Sequence, residues 1–119
     1  MVYQVRYTLL AAREVRDAYN GYHEQAGERV ASRFMDEIAR GEGPLCHNPH
    51  LYQRIEGEVR HLVLRRYPYA LVYAIFSDVV QVLGCFHSRR EPMTLSDWLK
   101  RGDSGALPDA DLHGPSRAA

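Results

Sequence analysis

Lysine is almost missing from this chain: Lys100 is the only one among 15 basic residues. Arginine supplies the rest. Its planar fork suits carboxylates and phosphates better than an ammonium does, although genome composition gives the same bias. Cysteine is scarce too. Two residues, Cys46 and Cys85, do not make a disulfide framework, and that favours a reducing compartment. Charge of one sign is not in excess, since 15 acidic residues balance the 15 basic ones. This argues against a protein held to nucleic acid chiefly by net charge. No apolar run approaches the ~18 residues of a membrane span. Met1-Val2-Tyr3-Gln4-Val5-Arg6 lacks the basic-then-apolar pattern of a secretory signal, so a cytoplasmic location is expected. Gly-rich phosphate loops, Gly-x-Ser-x-Gly, His-Glu-x-x-His and internal repeats are all absent, which removes several large enzyme classes.

What is present is a chain of 119 residues with 45% hydrophobic and 25% charged residues. That is globular composition with one core. Residues 1–101 are expected to form one domain. Residues 102–119 are rich in Gly, Pro, Asp, Ser and Ala and read as a disordered tail.

Tyr3-Gln4-Val5-Arg6-Tyr7 alternates like a half-buried strand. Thr8 can cap the helix that follows, where Ala11, Val15, Ala18 and Tyr22 share one face. Gly27 separates it from a second helix, Glu28 to Arg40, striped by Val30, Phe34 and Ile38. Gly41 and Gly43-Pro44 are expected to end that helix, and the two helices to form an antiparallel hairpin. Leu45 to Gly57 reads as irregular, with Leu51, Tyr52 and Ile55 tucked against the core. Three β-rich runs follow, Val59–Tyr67, Ala70–Phe76 and Val79–Phe86, and short connections make them an antiparallel meander. Ser77-Asp78 is poor chemistry for a two-residue turn, so a longer loop is expected. Thr94-x-x-Asp97 resembles a capping box opening a short helix with Leu95, Trp98 and Leu99. The order β-α-α-β-β-β is α+β. The helical hairpin should cover one face of an antiparallel sheet and leave the other for solvent or a partner.

Three constellations carry candidate chemistry. His87-Ser88-Arg89-Arg90 ends the last strand, with Arg60, Arg65 and Arg66 two strands away. Such a cluster suits phosphate binding or RNA cleavage, although strand-edge arginines equally serve as partners for acidic helix faces. Tyr67, Tyr69 and Tyr73 lie close in sequence. Tyrosine beside arginine can stack a base, but strands favour aromatics for packing alone. Cys46-His47-Asn48-Pro49-His50 gathers a thiol and two imidazoles. No second ligand pair stands at a finger spacing, so neither a metal nor another cofactor is expected.

The ordered series Asn48-Pro49-His50-Leu51-Tyr52, Ile55-Glu56-Gly57, Val59-Arg60, Leu64-Arg65-Arg66-Tyr67-Pro68-Tyr69-Ala70-Leu71-Val72-Tyr73 and Val82-Leu83-Gly84-Cys85-Phe86-His87-Ser88-Arg89-Arg90-Glu91-Pro92 resembles the RelE/ParE superfamily of bacterial type II toxins, the plasmid-stabilisation proteins. The resemblance covers roughly residues 3–100. It implies a helical hairpin on an antiparallel sheet and a cognate antitoxin that wraps and silences the toxin, with an oligomer formed alongside it.

The branches differ in target. RelE-like members cut mRNA on the ribosome, using an arginine early in the third strand, another after the last strand, and a C-terminal tyrosine. Here Ala70 stands at the first position, Arg89 matches the second, and Met93-Thr94-Leu95-Ser96 has no tyrosine. ParE-like members inhibit DNA gyrase by binding and are not hydrolases. Pro68 to Tyr73 and Phe86 to Arg90 look closer to that branch. The expectation is therefore a ParE-like toxin that binds DNA gyrase through Arg65, Arg89, Arg90 and Trp98. The alternative is a metal-independent mRNA endonuclease using His87, Arg89 and His61 on the ribosome. A degenerate, non-toxic member that only pairs with another protein is a third reading. Gly41-Glu42-Gly43-Pro44 departs from the family, whose second helix usually runs on to the Asn-Pro turn, and the tail after residue 101 is not a family feature.

Overall fold

Alternation in the first strand and a 3.6-residue period after it decide how the chain begins. The computed structural model describes residues 2–90 and 93–102. In it β1 (Gln4–Tyr7) runs straight into α1 (Leu9–Ala26), and α2 (Glu28–His47) returns antiparallel. A short 3-10 turn (Pro49–Leu51) precedes β2 (Arg54–Glu56), β3 (Val59–Val63), β4 (Tyr69–Phe76), β5 (Val79–His87) and α3 (Leu95–Gly102). Thr8 caps α1, its hydroxyl accepting the Ala11 N–H at 3.1 Å. Gly27 joins the helices with φ 88°, a left-handed value that a side chain would oppose. Of the expected tail, residues 103–119 lie outside the described residues, as does Glu91-Pro92 of the motif series.

The sheet is five-stranded in the order β1-β5-β4-β3-β2. The class is α+β as expected, but the sheet is mixed. β2 through β5 are antiparallel, whereas β1 runs parallel to β5, Gln4 beside Val79 and Tyr7 beside Val82. The outer edge of β5 is the place where β1 can present Val5 and Tyr7 to the helices. The amide of Gln4 donates to the Asp78 carbonyl at 2.8 Å and thereby fixes the register.

Four other local expectations are corrected. First, α2 does not stop at Gly41 but runs to His47. Tertiary contacts outweigh the propensity cost of Gly and Pro. Gly41 packs so close that a Cβ there would stand 3.1 Å from a Leu62 methyl, and Leu45 is fully buried. Buried Glu42 accepts the Tyr7 hydroxyl at 2.7 Å. Second, the Val59–Tyr67 run is a strand only to Val63, and the chain turns back before Tyr69. Third, Ser77-Asp78 is a two-residue turn after all, closed by the Phe76–Val79 pair. Ser77 accepts a left-handed φ of 54° to make it. Fourth, the segment expected to be irregular holds β2, and Leu51 and Ile55 do not tuck into the core, being 79% and 37% exposed.

Each face of the sheet has its own core. Ala11, Val15 and Ala18 of α1 and Phe34, Ile38 and Leu45 of α2 pack on Tyr7, Leu71, Tyr73, Val80 and Val82. Full burial of each large side chain contributes roughly 1.5–3 kcal/mol. The opposite face is not left bare, because α3 crosses it. Trp98, 3% exposed, packs with Val59, Val72, Ala74, Leu83 and Phe86. The predicted capping box opens this helix: the Thr94 hydroxyl accepts the Asp97 N–H at 3.1 Å, and the Asp97 carboxylate accepts the Thr94 N–H at 3.3 Å.

Candidate functional site

The end of β5 curls into a basic turn. The Ser88 amide donates to the Pro68 carbonyl at 2.7 Å, and the Arg90 amide to the His87 carbonyl at 3.0 Å. His87 Nδ1 accepts the Arg89 amide at 3.1 Å, which leaves the ring proton of a neutral imidazole on Nε2. The His87 ring stands edge-on to Tyr69 with centroids 5.1 Å apart. Arg89 is exposed and lies past the end of β5.

Arg90 is engaged. Its guanidinium lies 3.9 Å from the centre of the Phe86 ring and 3.1 Å from a Glu14 carboxylate oxygen. Glu14, from α1, also accepts the Cys85 backbone N–H at 3.1 Å and an Arg101 N–H at 2.5 Å. Arg101 in turn donates through Nε to the Leu83 carbonyl at 2.8 Å. One carboxylate thus ties α1, β5, the basic turn and α3 together. Burial raises the Glu14 pKa above its ordinary 4.5, and the Arg101 charge, the Cys85 amide and Arg90 pull against it.

His61 and His87 come together with Arg90. All three line a groove of about 270 Å³ on the α3 side of the sheet, floored by Ala70, Val72 and Phe86. Burial lowers the His61 pKa below its usual 6.5, so this ring is neutral at physiological pH. An imidazole of that kind can take a proton, but Arg90 is held against Glu14 and Phe86, and Arg89 is not among the residues lining the groove.

Arg60, Arg65 and Arg66 do not join this groove. Arg60 is held by the fold, donating to the carbonyls of His50 at 2.9 Å and Tyr52 at 2.7 Å. Arg65 and Arg66 lie on the turn after β3, both exposed. Arg65 borders a groove of about 400 Å³ between α2 and β3, with Gly41, Leu62 and Leu64 in its floor and Arg40 on its rim. Glu37 and Arg40 are shared with an adjoining hollow of about 240 Å³ that Arg33 and Arg66 also line. Sequence reasoning missed this arginine cluster. The spacing of Arg33 and Arg40, seven residues on one helix, was its available signal.

Trp98 is the buried anchor of α3, its ring 4.7 Å from that of Phe86. The tyrosines pack. Tyr67 meets Tyr22 at 5.0 Å and Phe34 at 5.4 Å, and its hydroxyl donates to the Val30 carbonyl at 2.9 Å. Tyr73 is fully buried and donates to the Pro49 carbonyl at 2.6 Å. In the Cys46-to-His50 segment, His50 stands edge-on to Tyr3 at 6.0 Å. Among the described residues no three His, Cys, Asp or Glu gather as a metal site, and no helix is long and apolar enough to cross a membrane.

A family model described as ParE toxin of type II toxin-antitoxin system, parDE, matches residues 5–92. Among solved structures, a chain titled "Chromosomal ParDE TA system from P. aeruginosa" superposes with a TM-score of 0.65 at 20% identity. The match covers 72% of this chain and 96% of that one, and at such identity it speaks to the fold. No curated protein matches.

Proposed function

Because the chain belongs to the ParE toxin family of type II toxin-antitoxin systems, its match running from β1 past the basic turn at residues 5–92, we propose that it arrests growth by binding DNA gyrase and is silenced by a cognate antitoxin. The observation that carries this reading is the extent of the match, which spans the helical hairpin and the whole sheet. Local chemistry supports binding over hydrolysis. Ala70 occupies the position where an RNA-cutting relative needs an arginine. Arg90, expected as a contact, is held by Glu14 and Phe86 and would have to leave them to meet a target. Arg65 and Arg89 stand exposed for contact. Trp98 serves by holding α3 in place, since its ring is 3% exposed. The protein works in the cytoplasm, as one domain over residues 1–101 followed by a tail, and needs no cofactor.

The test is controlled expression with separate readouts of plasmid supercoiling and translation, followed by purified gyrase. The expected result is stalled supercoiling with translated mRNA intact, relieved in Arg65→Ala/Arg89→Ala. Intact supercoiling together with mRNA cut at codon boundaries would replace this reading.

The endonuclease is the second reading, favoured by one observation: His61, neutral through burial, shares a groove with His87 and Arg90. It requires that cleavage disappear in His61→Ala and His87→Ala separately. Growth unaffected by expression would instead identify a member that acts only by pairing with another protein.

A further inference from the structure

We propose that the chain's own acidic segment Leu107–Leu112 docks across the arginine-rimmed groove between α2 and the β3–β4 turn. Arg40 and Arg65 line the groove, and Arg33 and Arg66 line the hollow that adjoins it through Glu37 and Arg40. Among the described residues the carboxylates lining the two are Asp36 and Glu37. Glu37 is already spent, accepting the Arg66 backbone N–H at 3.1 Å and an Arg40 N–H at 3.4 Å. Arg40 remains 72% exposed despite that contact. This is a cationic rim around an apolar floor, and it fits a short segment bearing both carboxylates and leucines.

The chain carries such a segment. Residues 1–102 hold 14 basic and 12 acidic residues, whereas 103–119 hold Asp103, Asp109 and Asp111 against Arg117 alone. The charge that balances the whole chain is thus divided between a positive body and a negative tail. In Leu107-Pro108-Asp109-Ala110-Asp111-Leu112 two aspartates at i and i+2 are flanked by leucines. In an extended segment those two carboxylates share one side.

The reach is sufficient. Arg101 is pinned to the Leu83 carbonyl. Leu83 adjoins Gly84, which pairs with Val72, and Val72 pairs with His61. Arg65 lies four residues past His61. Two strand spacings and four residues of rise place Arg65 about 17 Å away. Eight extended residues, from Arg101 to Asp109, span up to about 27 Å. The path crosses the outer side of β3 at Val63, which is 59% exposed and lines both grooves. It offers a leucine an apolar seat. A docked tail would also cover Arg65. The consequence that it competes with the target there rests on the function proposed above, whereas the docking does not.

The experiment is NMR on the full chain, labelled with nitrogen-15, beside Asp109→Asn/Asp111→Asn. Amide resonances of residues 40–44 and 62–66 should differ between the two. Salt at about 0.5 M, which screens exposed charge pairs, should move the native chain toward the variant. Arg40→Glu/Arg65→Glu, at exposed positions, should remove the difference. Shifts confined to residues 105–115 would overturn the proposal. Shifts that fade on dilution would overturn it too, because they would assign the groove to the tail of a second copy.

Discussion

Replacing Glu14 with alanine should loosen α3 before it unfolds the rest. The carboxylate accepts the Cys85 N–H at 3.1 Å on the stretch of β5 that β1 does not reach. Removing it strands that amide at a cost of about 1–3 kcal/mol. It also takes the carboxylate away from Arg101, whose side chain is 12% exposed. A fully buried pair broken in this way costs about 3–5 kcal/mol. Here Glu14 keeps 20% exposure and Arg101 retains the Leu83 carbonyl, so about 1–2 kcal/mol is the appropriate share. The sum is about 2–5 kcal/mol, or a urea midpoint lower by about 1–3 M. Trp98 is the only tryptophan and lies on the buried face of α3, so its fluorescence reports the helix while far-UV circular dichroism reports the whole fold. The fluorescence transition of Glu14→Ala should precede the dichroism transition. Glu14→Gln keeps an acceptor for Cys85 and relieves the buried charge, so it should cost about 1 kcal/mol. The pH dependence has a definite sign. A carboxyl whose pKa is raised by burial contributes stability below its unfolded value of 4.5 and loses it as pH climbs through the folded value. Glu14→Gln should abolish that slope. If Glu14→Ala stays within about 0.5 kcal/mol of the native chain on both probes, the clasp does not hold α3.

Ser77 holds φ 54° without being glycine, so Ser77→Gly should raise stability by about 1 kcal/mol in thermal unfolding; an unchanged midpoint would mean that the turn is unstrained. Burial pushes the Tyr73 hydroxyl up to about 12, with Arg60 pulling it the other way. Its contribution is therefore present below pH 10 and fades between about pH 10 and 12, and Tyr73→Phe should flatten this loss while costing about 1–3 kcal/mol for the stranded Pro49 carbonyl. Burial, reinforced by the Glu14 charge, likewise raises the Cys85 thiol to about 12. A disulfide reagent at about pH 8 should leave Cys85 unmodified until denaturant is added, and rapid native modification would contradict its burial.

Short-range chemistry was readable, and long-range chemistry was not. The Thr8 cap, the hairpin at Gly27 and the Thr94–Asp97 box each depend on residues three or four apart, and each stands where the local pattern put it. The extension of α2 through Gly41 and Pro44 depends instead on a Tyr7–Glu42 bond spanning 35 residues. Propensity scales cannot contain such a term. The same distance hid the candidate site's clasp, because Glu14 meets Cys85 and Arg101 across 71 and 87 residues. Of the residues singled out by type, His61 and His87 were brought together by the meander, whose neighbours were legible. Arg60 was set among phosphate-binding candidates because charge is visible in a sequence. That the fold would spend it on two loop carbonyls is not.

The basic turn owes its placement to an edge that no strand fills among the described residues. β5 runs nine residues, but β1 pairs with it for four and leaves at Thr8 to start α1. The amide of Cys85 and the carbonyl of Leu83 are therefore exposed at a sheet margin, where unpaired backbone invites another chain. The protein closes that margin with side chains, Glu14 on the amide and Arg101 on the carbonyl. The residues come from α1 and α3, so the closure fixes both helices to the strand that ends in His87. Arg90 is drawn onto the same carboxylate and over Phe86, while Arg89 is left exposed. A target that needs Arg90 must compete with Glu14 for it; one that needs Arg89 does not. Arg89→Ala should therefore weaken target binding without changing stability, whereas Arg90→Ala should change both, and equal effects on stability would show that the clasp does not separate the two.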